Sequence, residues 1–588
     1  MSTQRKRIGA GIQSGSSGYG SRETGGLKKK WKDRLPVALL FPGAYSIGMS
    51  NLGYQLVYAL LNNDPDIVAE RIFYPDAGES ARSIESNRPL ADFPVLLFSI
   101  SFEQDYLRLI ELLVMCGIPP LAAERSESIN SAASPGSSHP LVIAGGVAVF
   151  MNPEPLSPYI DLFVIGEAEP VLPGLMNILK ENLYLAARTP LLARAGCLRG
   201  CYAPRFYQQE YNSDGTISAI APPPAMPARI RRTVNADPSG CAGHSQILSP
   251  DAEFANLFLT ELGRGCSRGC RFCAAGFVYR PPRLWSSKAI ISALSRRPPE
   301  TNRVGLLGME MAAPEELSKI ARHLLESSCS LSFSSLRADA MGVELIDLLT
   351  KSGIKSAAIA PDGASERLRR VINKGIIEDD ILFAAESLVR TGLKNLKLYF
   401  MIGLPTETED DLEELLRLVH KIKTKILASG RSRGRLSEMT LSINSFVPKP
   451  WTPFQYHPFA AVDDLKRKLA FLRKNLGRQA NIKVAAGRPE NALLQAVLAR
   501  GDRRLGEALL AVTRTRTTWR RSLAASGVSP DFYARRTRSR DEIFPWDIID
   551  QGISRDYLWT EYQRALKGRI TAACDTKKCK RCGVCDGG

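Results

Sequence analysis

Three cysteines stand close together, Cys266, Cys270 and Cys273, in the stretch ELGRGCSRGCRFCAAGFVYRPPR. A C-x3-C-x2-C array puts three thiolates on one loop. That is enough to ligate three irons of a 4Fe–4S cluster and leave the fourth iron open to a chelating small molecule. Gly263, Gly265 and Gly269 let the backbone wrap closely, because glycine carries no Cβ. No fourth protein ligand is evident nearby, which disfavours zinc. A second array, Cys574, Cys579, Cys582 and Cys585, lies in AACDTKKCKRCGVCDGG. Four thiolates at C-x4-C-x2-C-x2-C spacing can hold a closed zinc site or a second, fully ligated 4Fe–4S cluster. The C-x2-C-x2-C part is tighter than the separated pairs of zinc ribbons and tilts the reading to iron–sulfur, for example as an electron relay. A reduced tail without metal is the plain alternative.

These arrays need elements to position them. From Leu35, apolar runs such as PVALLFPG, FPVLLFSIS and PLVIAGGVAV alternate with amphipathic stretches such as NLGYQLVYALLNN. Strand-like runs bounded by Gly and Pro and followed by helical spacing predict a parallel sheet, here a Rossmann-like domain at 35–186. Residues 125–139 read as a surface loop, and 187–250 as a Pro/Ser-rich linker with a small β element. A second series begins near Asn256, with LFLTEL, RVGLLGME, LSFSSLRA, SAAIAPD, NLKLYFMIGLP and EMTLSINSFVP separated by helical stretches. Six such strand–helix repeats predict a partial (β/α) barrel at 251–480, and the cysteine triad directly follows its first strand. Residues 481–568 read as a helical, Arg-rich region and 569–588 as a Cys-rich metal-binding tail. The predicted fold class is α/β throughout.

The 588 residues are 44% hydrophobic and 23% charged, which excludes collagen-like and mostly disordered classes. No apolar run reaches the roughly 18 residues of a membrane-spanning helix, and the basic N-terminus has no apolar signal region. The expectation is a cytoplasmic protein with no membrane partner, whose thiols are metal ligands or free. The net charge of +18 is uneven: residues 1–34 hold nine Lys/Arg against two acids, and residues 500–540 hold eleven Arg against three acids. The first reads as a flexible basic lead-in. The second reads either as a solvated face or as a surface for RNA.

The triad resembles that of the radical S-adenosylmethionine (SAM) enzymes, in which Phe272 would take the aromatic position beside the adenine. Gly308 and Glu310 are similar to the family's Gly-Gly-Glu-like motif that holds the SAM amino group, with Met309 in place of the middle glycine. Ser335 and Arg337 fall at the end of the third strand, where polar side chains meet the SAM ribose or carboxylate. The stretch IAPDGASERLRRVINKG resembles the fourth-strand region of methylthiotransferase-like members, which implies a contact at Ser365; Asp362 replaces the more usual Glu. YFMIGLPTETEDDLEEL resembles the fifth-strand motif, with Gly403, Pro405 and Glu407 shaping the adenine end, and NSFVPKPWTPFQY the sixth-strand exit, with Val447 flanking the adenine. The resemblance implies a 4Fe–4S cluster that binds SAM. It also implies a one-electron donor such as flavodoxin or ferredoxin, and a 5′-deoxyadenosyl radical acting on an unidentified small molecule or RNA, with methyl or methylthio transfer as reaction classes.

Residues 41–61 and 142–172 are similar to cobalamin-binding domains attached to radical SAM barrels, through Gly145-Gly146, Pro153-Glu154 and Gly166-Glu167-Ala168-Glu169. The Asp-x-His-x-x-Gly sequence that supplies an axial histidine elsewhere is absent, and His139 in the Ser-rich loop is a poor substitute. Cobalamin binding without a protein imidazole and a purely structural or gating role both stay open. The alternative from another class is an RNA-binding protein that uses iron–sulfur or zinc sites structurally.

Overall fold

The computed structural model describes residues 18–129, 138–237, 242–333, 336–431, 437–515 and 517–585. Part of the surface loop expected at 125–139, the first half of the basic lead-in and Ser335 lie outside them. The N-terminal sheet contains β1 (Leu35–Phe41), β2 (Ile67–Phe73), β3 (Val95–Ser99), β4 (Leu141–Gly145), β5 (Leu162–Val164) and β6 (Cys201–Tyr202), in the order β2-β1-β3-β4-β5-β6. Its first five strands are parallel, and β6 adds to β5 antiparallel. Every residue of β1 and β2 is buried, as a sheet covered on both faces requires. The helix Leu52–Asn63 starts where the Asn51 side chain accepts the Tyr54 N–H, satisfying one of the donors a helix start leaves open.

The second sheet contains β7 (Phe258–Glu261), β8 (Arg303–Leu307), β9 (Ser330–Phe333), β10 (Ser356–Asp362), β11 (Asn395–Ile402), β12 (Glu438–Ser445) and β13 (Ile482–Ala486). The strands pair in parallel as β7-β8-β9 and β10-β11-β12-β13, and a Leu336–Ile359 bridge joins the two runs into an open barrel wall. The six expected strands are present. A seventh, β13, lies past residue 480, where the sequence reading ends the barrel, and pairs with β12 from Met439–Ile482 to Ile443–Ala486. Between β11 and β12 runs the helix Glu409–Arg431, whose first turn carries three acids where the helix dipole favours negative charge.

One charge reading is corrected and a second is narrowed. Residues 18–34 do not form a free lead-in: the Lys29 ammonium donates to the carbonyls of Asn62, Asp64 and Ile67, and Trp31 Nε1 donates to Glu70 at 2.7 Å. Glu23 forms a buried ion pair with Arg71 at 2.7 Å. The Arg-rich 500–540 stretch is absorbed only in part. Arg500 and Arg538 are buried on backbone carbonyls, and Arg503 pairs with Glu154, Arg504 with Asp502, Arg536 with Glu542 and Arg540 with Asp556. Arg514, Arg520 and Arg521 stay exposed, so part of the stretch still presents positive charge to solvent.

Candidate functional site

The triad loop leaves the carboxyl end of β7. Gly265 and Gly269 adopt φ of 86° and 71°, the left-handed region that favours glycine, and a Cβ on Gly265 would stand 2.5 Å from the Tyr279 carbonyl oxygen. Cys270 is buried; Cys266 and Cys273 are half-buried. Burial pushes the Cys273 thiol up to about 12 and raises Cys266 as well, so ligation at this loop must release protons. Glu310, beyond the end of β8, grips the loop: its carboxylate accepts the Ser267 N–H at 2.8 Å and the Ser267 hydroxyl at 2.5 Å.

Two cations face the thiols. Arg337 pairs with Asp339 at 2.9 Å and donates to the Lys374 carbonyl at 2.9 Å. Lys374 pairs with Asp362 at 2.5 Å, and its ammonium lies 5.9 Å from the centre of the Phe272 ring. Burial works against the Lys374 charge, but Asp362 and then Cys270 outweigh it and lift its pKa. Asp362 is held at φ 61°, a rare backbone conformation for a residue with a side chain. Among the described residues no three Cys, His, Asp or Glu groups are gathered around a single metal ion. A cubane cluster needs no such convergence, since each thiolate ligates its own iron. Three loop thiols flanked by two cations therefore suit an anionic iron–sulfur cluster.

The structure thus brings Phe272, Glu310 and Arg337 to the triad loop. The other expected contacts are committed to their own strand ends. Ser365 caps the helix Glu366–Val371 by accepting the Leu368 N–H, and donates to Asp411 at 2.5 Å. Gly403 turns at φ 77°, and its N–H donates to Glu407, which is itself paired with Lys468 at 2.8 Å. Val447 is half-buried beside Phe446, whose ring meets Phe454 edge-on. Gly308 lines a cavity of ≈ 500 Å³.

That cavity lies between the carboxyl ends of the two sheets, the side on which open α/β sheets bind ligands. The helix Leu52–Asn63, the Gly145-Gly146 and Gly166–Glu169 turns, and Leu307, Gly308 and Met309 of the barrel wall it. None of its lining residues is a histidine. His139 stands instead against Ser126. Glu167 clamps the two halves together: it accepts from Arg283 at 2.5 Å and from Arg264 at 3.1 Å, and Arg264 reaches Glu169 at 2.7 Å. Glu154 faces the C-terminal region, accepting from Tyr202, Gln209 and Arg503.

Sequence reasoning missed Arg271, which lies inside the triad yet points away from it. Its buried guanidinium pairs with Glu561 at 3.0 Å and donates to the carbonyls of Val371 and Arg569. Asn373 donates to the Gly269 and Thr571 carbonyls and accepts the Thr571 N–H at 2.8 Å. Together they strap the tail onto the back of the triad loop, where the Cys574 N–H donates to the Ser267 carbonyl at 2.7 Å. No local pattern announces partners this distant. The only cue was an Arg set between two candidate ligands.

An α/β chain with a thiol triad at the mouth of a parallel barrel and a second parallel sheet over that mouth is the framework of a cofactor-dependent radical enzyme. Two family models match: "Radical SAM proteins, N-terminal" over residues 53–204 and "Radical SAM superfamily" over residues 260–419. The chain belongs to the radical SAM superfamily and is a radical SAM enzyme, a class whose cofactors are a 4Fe–4S cluster and SAM. It is 27% identical over 475 residues to the uncharacterized protein MJ0966 of Methanocaldococcus jannaschii, covering 80% of this chain and 90% of that one. It is 22% identical over 310 residues to the anaerobic magnesium-protoporphyrin IX monomethyl ester cyclase of Rubrivivax gelatinosus, about half of each chain. Among solved structures it is similar to the cobalamin-dependent SAM radical enzyme OxsB with aqua-cobalamin and SAM bound, at TM-score 0.47 and 15% identity, covering 91% of this chain and 80% of that one. Among the described residues no helix is long and apolar enough to cross a membrane.

Proposed function

We propose that this enzyme cleaves SAM reductively at the triad loop and directs the resulting radical at a substrate held in the cavity between the two sheets. When bound, a 4Fe–4S cluster with SAM supplies one-electron cleavage of the sulfonium to methionine and a 5′-deoxyadenosyl radical. Cys266, Cys270 and Cys273 would hold three irons. Glu310, fixed by Ser267, would accept from the SAM ammonium, Arg337 would face its carboxylate, and Phe272 would flank the adenine. Ser335, by its place after β9, is assigned to the ribose side. Gly403, Glu407, Ser365 and Val447 act one step back, shaping the strand ends that the adenine meets. The carrying observation is Glu310: its two bonds to Ser267 couple the end of β8 to the loop that bears the thiols. The cavity walls would then shield a substrate held between the sheets from bulk water.

The test is anaerobic reconstitution with iron and sulfide, followed by reduction with dithionite and quantitation of 5′-deoxyadenosine and methionine. Cys270→Ala is expected to abolish both products, and cleavage left intact would overturn the reading. A second reading adds a corrin, supported by the position of the cavity at the carboxyl ends of both sheets. With no histidine in the lining, such a corrin would lack a protein imidazole, and the reaction class would become methyl transfer. Titration with hydroxocobalamin tests it: a shifted absorbance and co-elution support it, and neither removes it.

A further inference from the structure

The four tail cysteines have no part in the reaction proposed above, yet the fold delivers them to the triad. Ser267, whose carbonyl accepts the Cys574 N–H at 2.7 Å, is the chain neighbour of Cys266. One backbone hydrogen bond therefore separates the two arrays. Cys574, Cys579 and Cys582 share a small cleft with Ser267, Arg268 and Gly269. Within it the Cys574 and Cys579 thiols are both half-buried. Arg581 Nε stands 3.2 Å from the Cys579 sulfur, and Arg280 and Cys582 line the same cleft. Cys582 is buried and its carbonyl accepts the Ser554 N–H at 2.8 Å, while Gly583 at φ 84° turns the chain before Cys585. A cluster of thiols in one cleft, flanked by guanidinium groups, is a donor set for an anionic cofactor.

We propose that Cys574, Cys579, Cys582 and Cys585 hold a second 4Fe–4S cluster, which is the port through which the electron for the triad enters. The inference rests on reading the triad as a cluster site. Cys579, Cys582 and Cys585, at every third residue, suit a cubane, in which each thiolate ligates its own iron, whereas zinc requires four donors around one ion. A low-potential iron–sulfur or flavin protein is oxidised by one electron, which passes to the tail site and from there across the Cys574–Ser267 contact to the triad. The tail site returns to its starting oxidation state, no bond forms or breaks, and no proton is transferred. Lys577, Lys578, Lys580 and Arg581 are exposed around the tail array, a basic rim for an acidic donor.

The experiment uses the full chain, reconstituted anaerobically, with iron, zinc and sulfide counted per chain and the reduced protein examined by electron paramagnetic resonance. Wild type is expected to hold about eight irons and a Cys579→Ala/Cys582→Ala variant about four, with one of two paramagnetic signals lost. Cys585→Ser, at an exposed position, is expected to lower the iron content without disturbing the fold. The tail variant should cleave SAM with dithionite but lose cleavage driven by reduced flavodoxin. About four irons in wild type, zinc in place of the missing irons, or an iron count unmoved by the tail substitutions would each overturn the proposal. A Cys266→Ala/Cys270→Ala/Cys273→Ala variant separates the two readings. Iron unchanged there defeats the triad assignment, whereas iron unchanged in the tail variant defeats the port alone.

Discussion

Replacing Arg271 by Met should detach the tail from the triad loop. The side chain is 0% exposed and its partner Glu561 only 5%, so the pair is desolvated. Removing one member of a buried pair costs about 3–5 kcal/mol, because the remaining charge keeps its desolvation penalty without its partner. Two features set the expectation at the low end. The Glu561 carboxylate also accepts the Thr571 hydroxyl at 2.8 Å, and the half-exposed Arg564 stands 3.6 Å away and can partly neutralise it. A loss of about 3 kcal/mol corresponds to a local opening constant raised on the order of a hundredfold. A chain of several packed units does not unfold in one step, so the assay is native-state amide hydrogen exchange and not a global melt. Amides at 555–583 and 266–273 should exchange faster together, while those of β3 and β4 stay unchanged. Arg271→Met combined with Glu561→Leu should recover part of the protection, since no buried charge is then left alone. Exchange at 555–583 within threefold of wild type, or acceleration spread evenly over the whole chain, would refute the reasoning.

Two further outcomes follow from charge. Burial works against ionised Glu167, but Arg283 and then Arg264 outweigh it and hold the carboxyl below its usual value. The clamp's stability is therefore present above the ordinary glutamate pKa near 4.5 and is lost as pH falls through the lower folded value. Trp285, beside Arg264, should report the loosening by fluorescence, and Glu167→Gln should show it already at neutral pH; an acid response unaltered by that substitution would count against the clamp. His457 is pushed down to about 4 by burial and then by Arg500. As a base with a depressed pKa, it contributes stability that is full above about 6.5 and falls away toward pH 4, by about 3 kcal/mol over the window. His457→Gln should flatten that slope in the opening free energy of the 454–457 amides, read by native-state hydrogen exchange between pH 7 and 4, and an unchanged slope would locate the proton uptake elsewhere.

The thiol arrays, the glycines between them and the six barrel strands were legible because each is a local pattern. Ligand spacing, left-handed turns and buried apolar runs are set by residues a few positions apart. Charge was not legible in the same way. KKK at 28–30 and the eleven arginines of 500–540 read alike whether solvated or paired, and only the fold revealed that Lys29 caps three carbonyls and that Arg503 meets Glu154. β13 was missed because IKVAA is short and only alternately buried, so its identity comes from pairing with β12. The placement of the second array depends on Arg271 meeting Glu561, 290 residues away. The sequence by itself determined which cofactor chemistry this protein can support, since that depends on donor type and short-range spacing. Tertiary structure alone decided that the two thiol sets lie back to back and that a cavity joins the two sheets, because both rest on contacts between segments that no local preference brings together.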